Sequence, residues 1–141
     1  MGTYTYDPNV TNICFSVYKI SPASVICTVD KGLNILGGYS INNWLSSDPS
    51  ANLTVIDGQN LYRGVTAVGD KTTTSNLDME GFTIQNGRAL GPTYNASDTS
   101  GVGGGMLVNK VIVTLRDLIF KNNQAKGLNT SSGAGGQADV A

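Results

Sequence analysis

Apolar and polar residues alternate in short bursts along this chain, and the bursts end in the same kind of corner. Leu33-Asn34-Ile35-Leu36-Gly37-Gly38 sets the pattern: apolar, polar, apolar, then a small or polar close. Leu53-Thr54-Val55-Ile56-Asp57-Gly58, Phe82-Thr83-Ile84-Gln85-Asn86-Gly87 and Leu118-Ile119-Phe120-Lys121-Asn122-Asn123 repeat it. Alternation of period two puts the first and third residues of each burst on one face of a strand. Two apolar columns result: Leu33, Leu53, Phe82, Leu118 and Ile35, Val55, Ile84, Phe120. The fifth and sixth positions hold only Gly, Asp or Asn. These residues reach positive φ or bond their own backbone, as a tight corner requires.

A further strand precedes each of the later bursts, with Leu77 and Met79 before Phe82, then Val113 and Leu115 before Leu118. Strand, bend, strand, corner is how a chain winds around a long axis. The bursts are spaced 20, 29 and 36 residues apart. A three-sided parallel coil needs roughly twenty residues, and any excess maps to loops. Gln59 to Ser75 and Gly91 to Gly105, rich in Gly, Thr and turn formers, read as those loops. An immunoglobulin-like sandwich also gives regularly spaced strands, but it does not predict aligned columns with shared corner chemistry. The pattern therefore predicts an all-β parallel β-helix, a solenoid of about four coils.

Composition agrees. Asn and Thr occur fourteen times each, Ser twelve and Gly eighteen, while charged residues make up only 13%. Glu80 is the single glutamate, whereas long helices draw heavily on Glu, Lys, Ala and Leu. The net charge of −1, with no block of like charges, argues against a nucleic-acid surface or a polybasic membrane patch. No run approaches 18 apolar residues, so membrane insertion is not expected. Met1-Gly2 fails as a myristoylation start because position 6 is Tyr6. The abrupt start and trailing end read as a fragment of a larger protein. The tail from Lys126 to Ala141 is too poor in apolar residues to cap the last coil, so self-association through an open C-terminal coil is expected.

Cys14 and Cys27 have two readings. They are buried thiols acting as small apolar residues, or a disulfide joining strands over residues 14–18 and 25–29 across the Ser21–Ser24 turn. With no His in the chain, an ordinary structural zinc site is excluded, and no cofactor is expected.

Enzymes on this kind of scaffold need clustered carboxylates, either for calcium and a base or for a pair across a sugar bond. Asp78 and Glu80, at i and i+2 on one strand face with Lys71 or Arg88 as possible neighbours, are the best acidic pair available. They read more simply as a solvated outer face, and Asp57 reads as a turn residue. Gly101 to Gly105 lacks the Lys-Ser/Thr of a phosphate loop, and without His there is no Ser-His triad. Tyr39, Trp44, Tyr62 and Tyr94 fall in corners or loops, where rings can stack on sugars. Trp44 is expected to cap the core beside the first burst.

One resemblance adds to this reading. Gly37-Gly38-Tyr39-Ser40, Trp44, Ser47-Asp48-Pro49-Ser50-Ala51-Asn52 and Val55-Ile56-Asp57-Gly58 resemble the opening coils of bacterial right-handed parallel β-helix repeat proteins, of the pectin-lyase-like type. Gly103-Gly104-Gly105-Met106 and Phe120-Lys121-Asn122-Asn123 resemble the paired GGA[ILV] and FxxN repeats of polymorphic outer-membrane proteins and related adhesins. Gly105 stands where that family commonly has Ala. The resemblance covers about residues 28 to 127, with residues 1–27 as a less regular entry region and 128–141 as a Gly/Ser/Ala-rich tail. It implies a right-handed helix and a secreted or cell-surface module without catalysis. Such a module would be an adhesive or stalk domain with a glycan or cell-surface ligand. The alternative is part of a polysaccharide lyase or glycoside hydrolase, or its carbohydrate-binding region.

Overall fold

The computed structural model describes residues 2–10, 14, 22–69, 75–92 and 101–128. Its described secondary structure is built from twelve strands: β1 (Gly2–Thr5), β2 (Ser24–Val29), β3 (Leu33–Leu36), β4 (Thr54–Asp57), β5 (Arg63–Val68), β6 (Ser75–Glu80), β7 (Phe82–Gln85), β8 (Arg88–Pro92), β9 (Met106–Asn109), β10 (Val111–Arg116), β11 (Ile119–Lys121) and β12 (Gln124–Leu128). All pairings between these strands are parallel. The first sheet has the order β1-β4-β7-β11, the second β2-β5-β9, the third β3-β6-β10, and β8 pairs β12 in a fourth. After β1, each passage of the chain runs through the second, third and first sheets, and later passages add the fourth. Parallel neighbours require a long crossover between them, and here the other sheets supply it.

From the second passage to the third the repeat is regular in three of the four sheets, while in the second Val65 pairs with Met106, 41 residues on. Ser75 pairs with Val111, Thr83 with Ile119 and Arg88 with Gln124, each 36 residues on. The first passage is less even, because residues 37–53 leave the sheets between β3 and β4. Most corners share one device, a single residue with left-handed backbone, while the corner after β4 uses two, Gln59 and Asn60. Asp30 and Lys110 follow β2 and β9, Gly81 and Asp117 follow β6 and β10, and Asn86 and Asn122 follow β7 and β11. Their φ angles lie between 49° and 77°. Gly, Asn and Asp reach this region most readily, which made Asn86 and Asn122 legible as corners, whereas Lys110 carried no such signal.

The core lies between the sheets. Ile56 and Ile84 from the first sheet, Val65 and Ala67 from the second, and Leu77, Met79 and Phe82 form one buried cluster. Ile26, Ile35, Met106, Val113 and Leu118 close over it.

Three expectations need correction. Leu33 and Ile35 belong not to the column of Phe82 and Ile84 but to that of Leu77 and Met79, one sheet earlier. The Leu53 burst is shifted by one: Thr54 pairs with Phe82 and Ile56 with Ile84, so Leu53 is exposed and Ile56 is buried. A one-residue slip exchanges the two faces of a strand, and two adjacent apolar residues, Val55 and Ile56, hid it. Finally, the supposed loop Gln59 to Ser75 contains β5, whose six residues are all buried. Gly64 is needed there, because a Cβ would lie 2.5 Å from the Gly105 carbonyl oxygen.

β5 is buried on both sides for a specific reason. Val65 and Ala67 face the main core, while Val68 packs with Cys14, Cys27, Val29 and Leu107 on the other face. Cys14 and Cys27 form a disulfide with Cα atoms 6.0 Å apart, and the Cys14 N–H donates to Cys27 Sγ. Cys14 has helical backbone rather than the strand expected over 14–18; residues 15–18 lie outside the described residues. The disulfide fastens Cys14 over the outer face of the second sheet.

Candidate functional site

The excursion 37–53 is tied down at its base and apolar at its tip. Gly38, at φ 79°, opens it; a Cβ there would fall 2.5 Å from Ser47 Oγ and 2.8 Å from Pro49 N. The Asp48 N–H donates to the Gly38 carbonyl at 2.7 Å, and Ser47 Oγ donates to the Gly37 carbonyl at 2.8 Å. The Asp48 carboxylate accepts from the Ser50 hydroxyl and from the N–H groups of Ser50 and Ala51. The Ser50 hydroxyl first, then the Ala51 N–H, hold the Asp48 carboxyl below the usual carboxylate range. SDPSAN is thus a self-bonded turn that returns the chain to β4.

On this base Tyr39 and Trp44 stack, with ring centroids 6.2 Å apart and planes 14° from parallel. Trp44 is 72% exposed, Ile41 80% and Leu45 98%. The expectation that Trp44 caps the core is therefore wrong. Gly37 itself passes so close to Gly81 and Thr54 that a Cβ would meet the Gly81 oxygen at 2.5 Å. The Ser40–Asn43 bridge then turns the tip outward.

The remaining aromatics lie elsewhere. Tyr62, between β4 and β5, packs on Tyr6 with centroids 4.1 Å apart, while Tyr94 lies outside the described residues.

Asp78 and Glu80 alternate with buried Leu77 and Met79, so they sit on the outer face of the third sheet. Glu80 accepts from Arg116 Nε at 2.9 Å, one passage on, and that bond raises the Arg116 pKa. Arg88 is on β8 and donates to the Asn60 carbonyl; Lys71 lies outside the described residues. Asp57 holds a corner. Its carboxylate accepts from Gln85 Nε2, the Gln59 N–H and the Asn86 amide. Partial burial works to raise its pKa, and these hydrogen bonds outweigh burial to leave it lowered.

The corner asparagines divide their work differently from a simple stack of two like side chains. Asn86 and Asn122 share the left-handed conformation, and the Asn86 N–H donates to the Lys121 carbonyl. It is Asn123 that satisfies neighbouring backbone. Its amide donates to the Ile84 carbonyl at 2.9 Å and its oxygen accepts from the Gly87 N–H at 2.8 Å. The glycine-rich and FxxN elements also meet in space. A Cβ on Gly105 would lie 2.9 Å from the Asn123 side chain and 3.1 Å from the Phe120 ring, so Ala does not fit here without a shift.

One residue escaped the sequence reading. Arg63, at the start of β5, is fully buried. Its guanidinium donates to the carbonyls of Pro22, Val102 and Gly103, joining the turns before β2 and β9. Burial pushes its pKa down to about 10, so it keeps its charge at neutral pH. An isolated Arg beside Gly64 in an assumed loop gave no sign of this.

Among the described residues no group of three His, Cys, Asp or Glu could hold a metal ion, and no helix is long and apolar enough to cross a membrane. No protein-family model, curated protein or solved structure matches the chain.

Proposed function

We propose that the chain is a right-handed parallel β-helix module of a secreted or cell-surface protein, working as a non-catalytic stalk that presents an adhesive, glycan-binding surface. The winding is supported by the recurring order of parallel sheets and by the strong preference of parallel crossovers for the right hand. An oxidising compartment is supported by the Cys14–Cys27 disulfide. The adhesive role rests on one observation: the Tyr39–Trp44 stack stands exposed, beside Ile41 and Leu45, on a turn fixed by Asp48. Exposed apolar clusters mark binding surfaces, and a ring pair suits the flat apolar face of a sugar. The same stack also favours a second reading, the sugar-holding part of a polysaccharide-processing protein.

One experiment separates the two. The purified chain is incubated with a panel of soluble polysaccharides, and both retention and chain cleavage are followed. A stalk module retains one class of glycan without generating new ends, and Trp44→Ala abolishes retention. Cleavage products that disappear with Asp78→Asn or Glu80→Gln would establish an enzyme instead. No retention of any glycan would remove the adhesive role.

A further inference from the structure

The two ends of the stacked sheets are complementary in register and in charge. At the C-terminal end β9, β10 and β11 are the outermost strands of their sheets, and at the other end β2 and β3 are. All run in the same direction, so a second copy displaced along the stack continues the first, second and third sheets. The existing registers then fix the contacts. Met106 and Ile26 both pair with Val65, Val113 and Leu33 both with Leu77, Leu115 and Ile35 both with Met79, and Phe120 and Ile56 both with Ile84. Extending the stack by one level therefore sets Ile26, Leu33, Ile35 and Ile56 of the second copy on Met106, Val113, Leu115 and Phe120. Each contact is apolar on apolar, and Leu115 and Phe120 are exposed in the single chain.

Charge selects this arrangement over its rivals. The described part of the last passage, residues 101–128, carries Lys110, Arg116, Lys121 and Lys126 against Asp117. Residues 2–57 carry Asp7, Asp30, Asp48 and Asp57 against Lys31 among those described. Two C-terminal ends meeting would place basic ends together, whereas head-to-tail contact joins opposite signs. The register makes it specific: Lys121 and Asp57 both pair with Gln85, and Lys110 and Asp30 occupy the same left-handed corner after β9 and β2.

Among the described residues one obstacle stands in the way. β1 occupies the edge of β4, with Tyr4 on Ile56, the place that β11 of another copy would take. All four residues of β1 are exposed, so little burial holds it on β4. We propose that the C-terminal end of one copy docks on the N-terminal end of a second copy, β11 displacing β1 from β4. Because such a contact is heterologous and does not close, it propagates into a filament. It rests on strand order and register and is independent of the adhesive role.

The test is a charge exchange followed by sedimentation velocity over a concentration series. Wild-type chain associates, and added salt weakens association. Lys110→Asp alone and Asp30→Lys alone each weaken it about tenfold, by setting like charges together. An equimolar mixture of the two variants restores it, since each junction again joins Asp to Lys, which no misfolded variant could mimic. Hydrogen exchange on the assembled wild type shows β1 amides losing protection and β11 amides gaining it. A chain monomeric at every concentration, or a mixture no better than its components, overturns the proposal. So does an oligomer in which β1 stays protected.

Discussion

The Asn86 side chain donates to both carboxylate oxygens of Asp57 at 3.1 Å, although 29 residues separate the two in sequence. The bond links the corner after β4 to the equivalent corner one passage later. It lets a left-handed Asn do two jobs: its backbone makes the turn and its side chain holds the previous turn. Gln85 adds a second amide donor beside it at 2.8 Å. A carboxylate, with acceptor sites only, is the natural hub for two amides.

That hub makes stability depend on acid in a defined direction. The folded-state pKa of Asp57 is lowered from its ordinary value of 3.8, so the folded chain binds its proton less readily than the unfolded chain. The contribution is fully present above about pH 4 and is lost as pH falls through the folded pKa. Urea unfolding from pH 6 to pH 2 should show a loss of stability that is smaller in Asp57→Asn. An unchanged acid limb in that variant would mean the carboxylate carries no linkage.

The neighbouring asparagines should respond differently to substitution. Asn122→Gly keeps access to positive φ and should be nearly neutral, while Asn122→Leu should cost about 1–2 kcal/mol for a left-handed β-carbon. Asn123→Ala leaves the Ile84 carbonyl and Gly87 N–H without partners and should cost about 1–3 kcal/mol. Equilibrium unfolding of the three variants orders them. Asn122→Gly as damaging as Asn123→Ala would contradict the division of labour.

The periodicity disclosed parallel stacking because the corners obey strict backbone chemistry and Phe82, Ile84, Leu118 and Phe120 alternate cleanly. It misplaced Leu33 because two sheets use the same pattern of apolar, polar, apolar, and a sequence window does not say which sheet it belongs to. It missed β5 because Arg63 and Gly64 look like loop residues, yet each is there for a close packing need. Trp44 was misjudged for a related reason. Aromatic composition says a ring wants burial, but residues 37–53 leave the sheets and carry Trp44 to an exposed position. Asp78 and Glu80 were read correctly as an outer face, because alternation with Leu77 and Met79 decides it directly.

Burial along the first sheet falls towards its end, and mutation should report that gradient. Ile84 is fully buried between Ile56 and Phe120, while Ile119 is 59% exposed on the last strand. Ile84→Ala should destabilise by about 2–5 kcal/mol. Ile119→Ala should stay within about 0.5 kcal/mol, as for an exposed site. Similar losses at both, measured by chemical unfolding at a concentration that keeps the chain monomeric, would place the end of the sheet under cover.

Arg63 should be less replaceable than a residue kept only for its charge. Three carbonyls on two turns point at a planar guanidinium, and the flexible single ammonium of Lys does not match that fork. Arg63→Met should cost about 2 kcal/mol or more, since it strands buried acceptors, and Arg63→Lys should recover only part. Thermal unfolding of both variants tests this. Full recovery by Lys would reduce Arg63 to a buried positive charge.

The disulfide should matter through what it holds down. Cys14 and Cys27 are 13 residues apart, and closing a loop of this size stabilises by about 3 kcal/mol when the unfolded chain is the reference. Its folded-state effect is local. Cys14 covers Val68, Val29 and Leu107 on the outer face of the second sheet, so opening the bridge should uncover that face before the inner core yields. Reduction, or the pair Cys14→Ser and Cys27→Ser, should lower stability by about that amount. It should also raise hydrogen exchange in β2 and β5 ahead of β6 and β7. Every strand losing protection together would mean the bridge holds the whole stack and not one covered face.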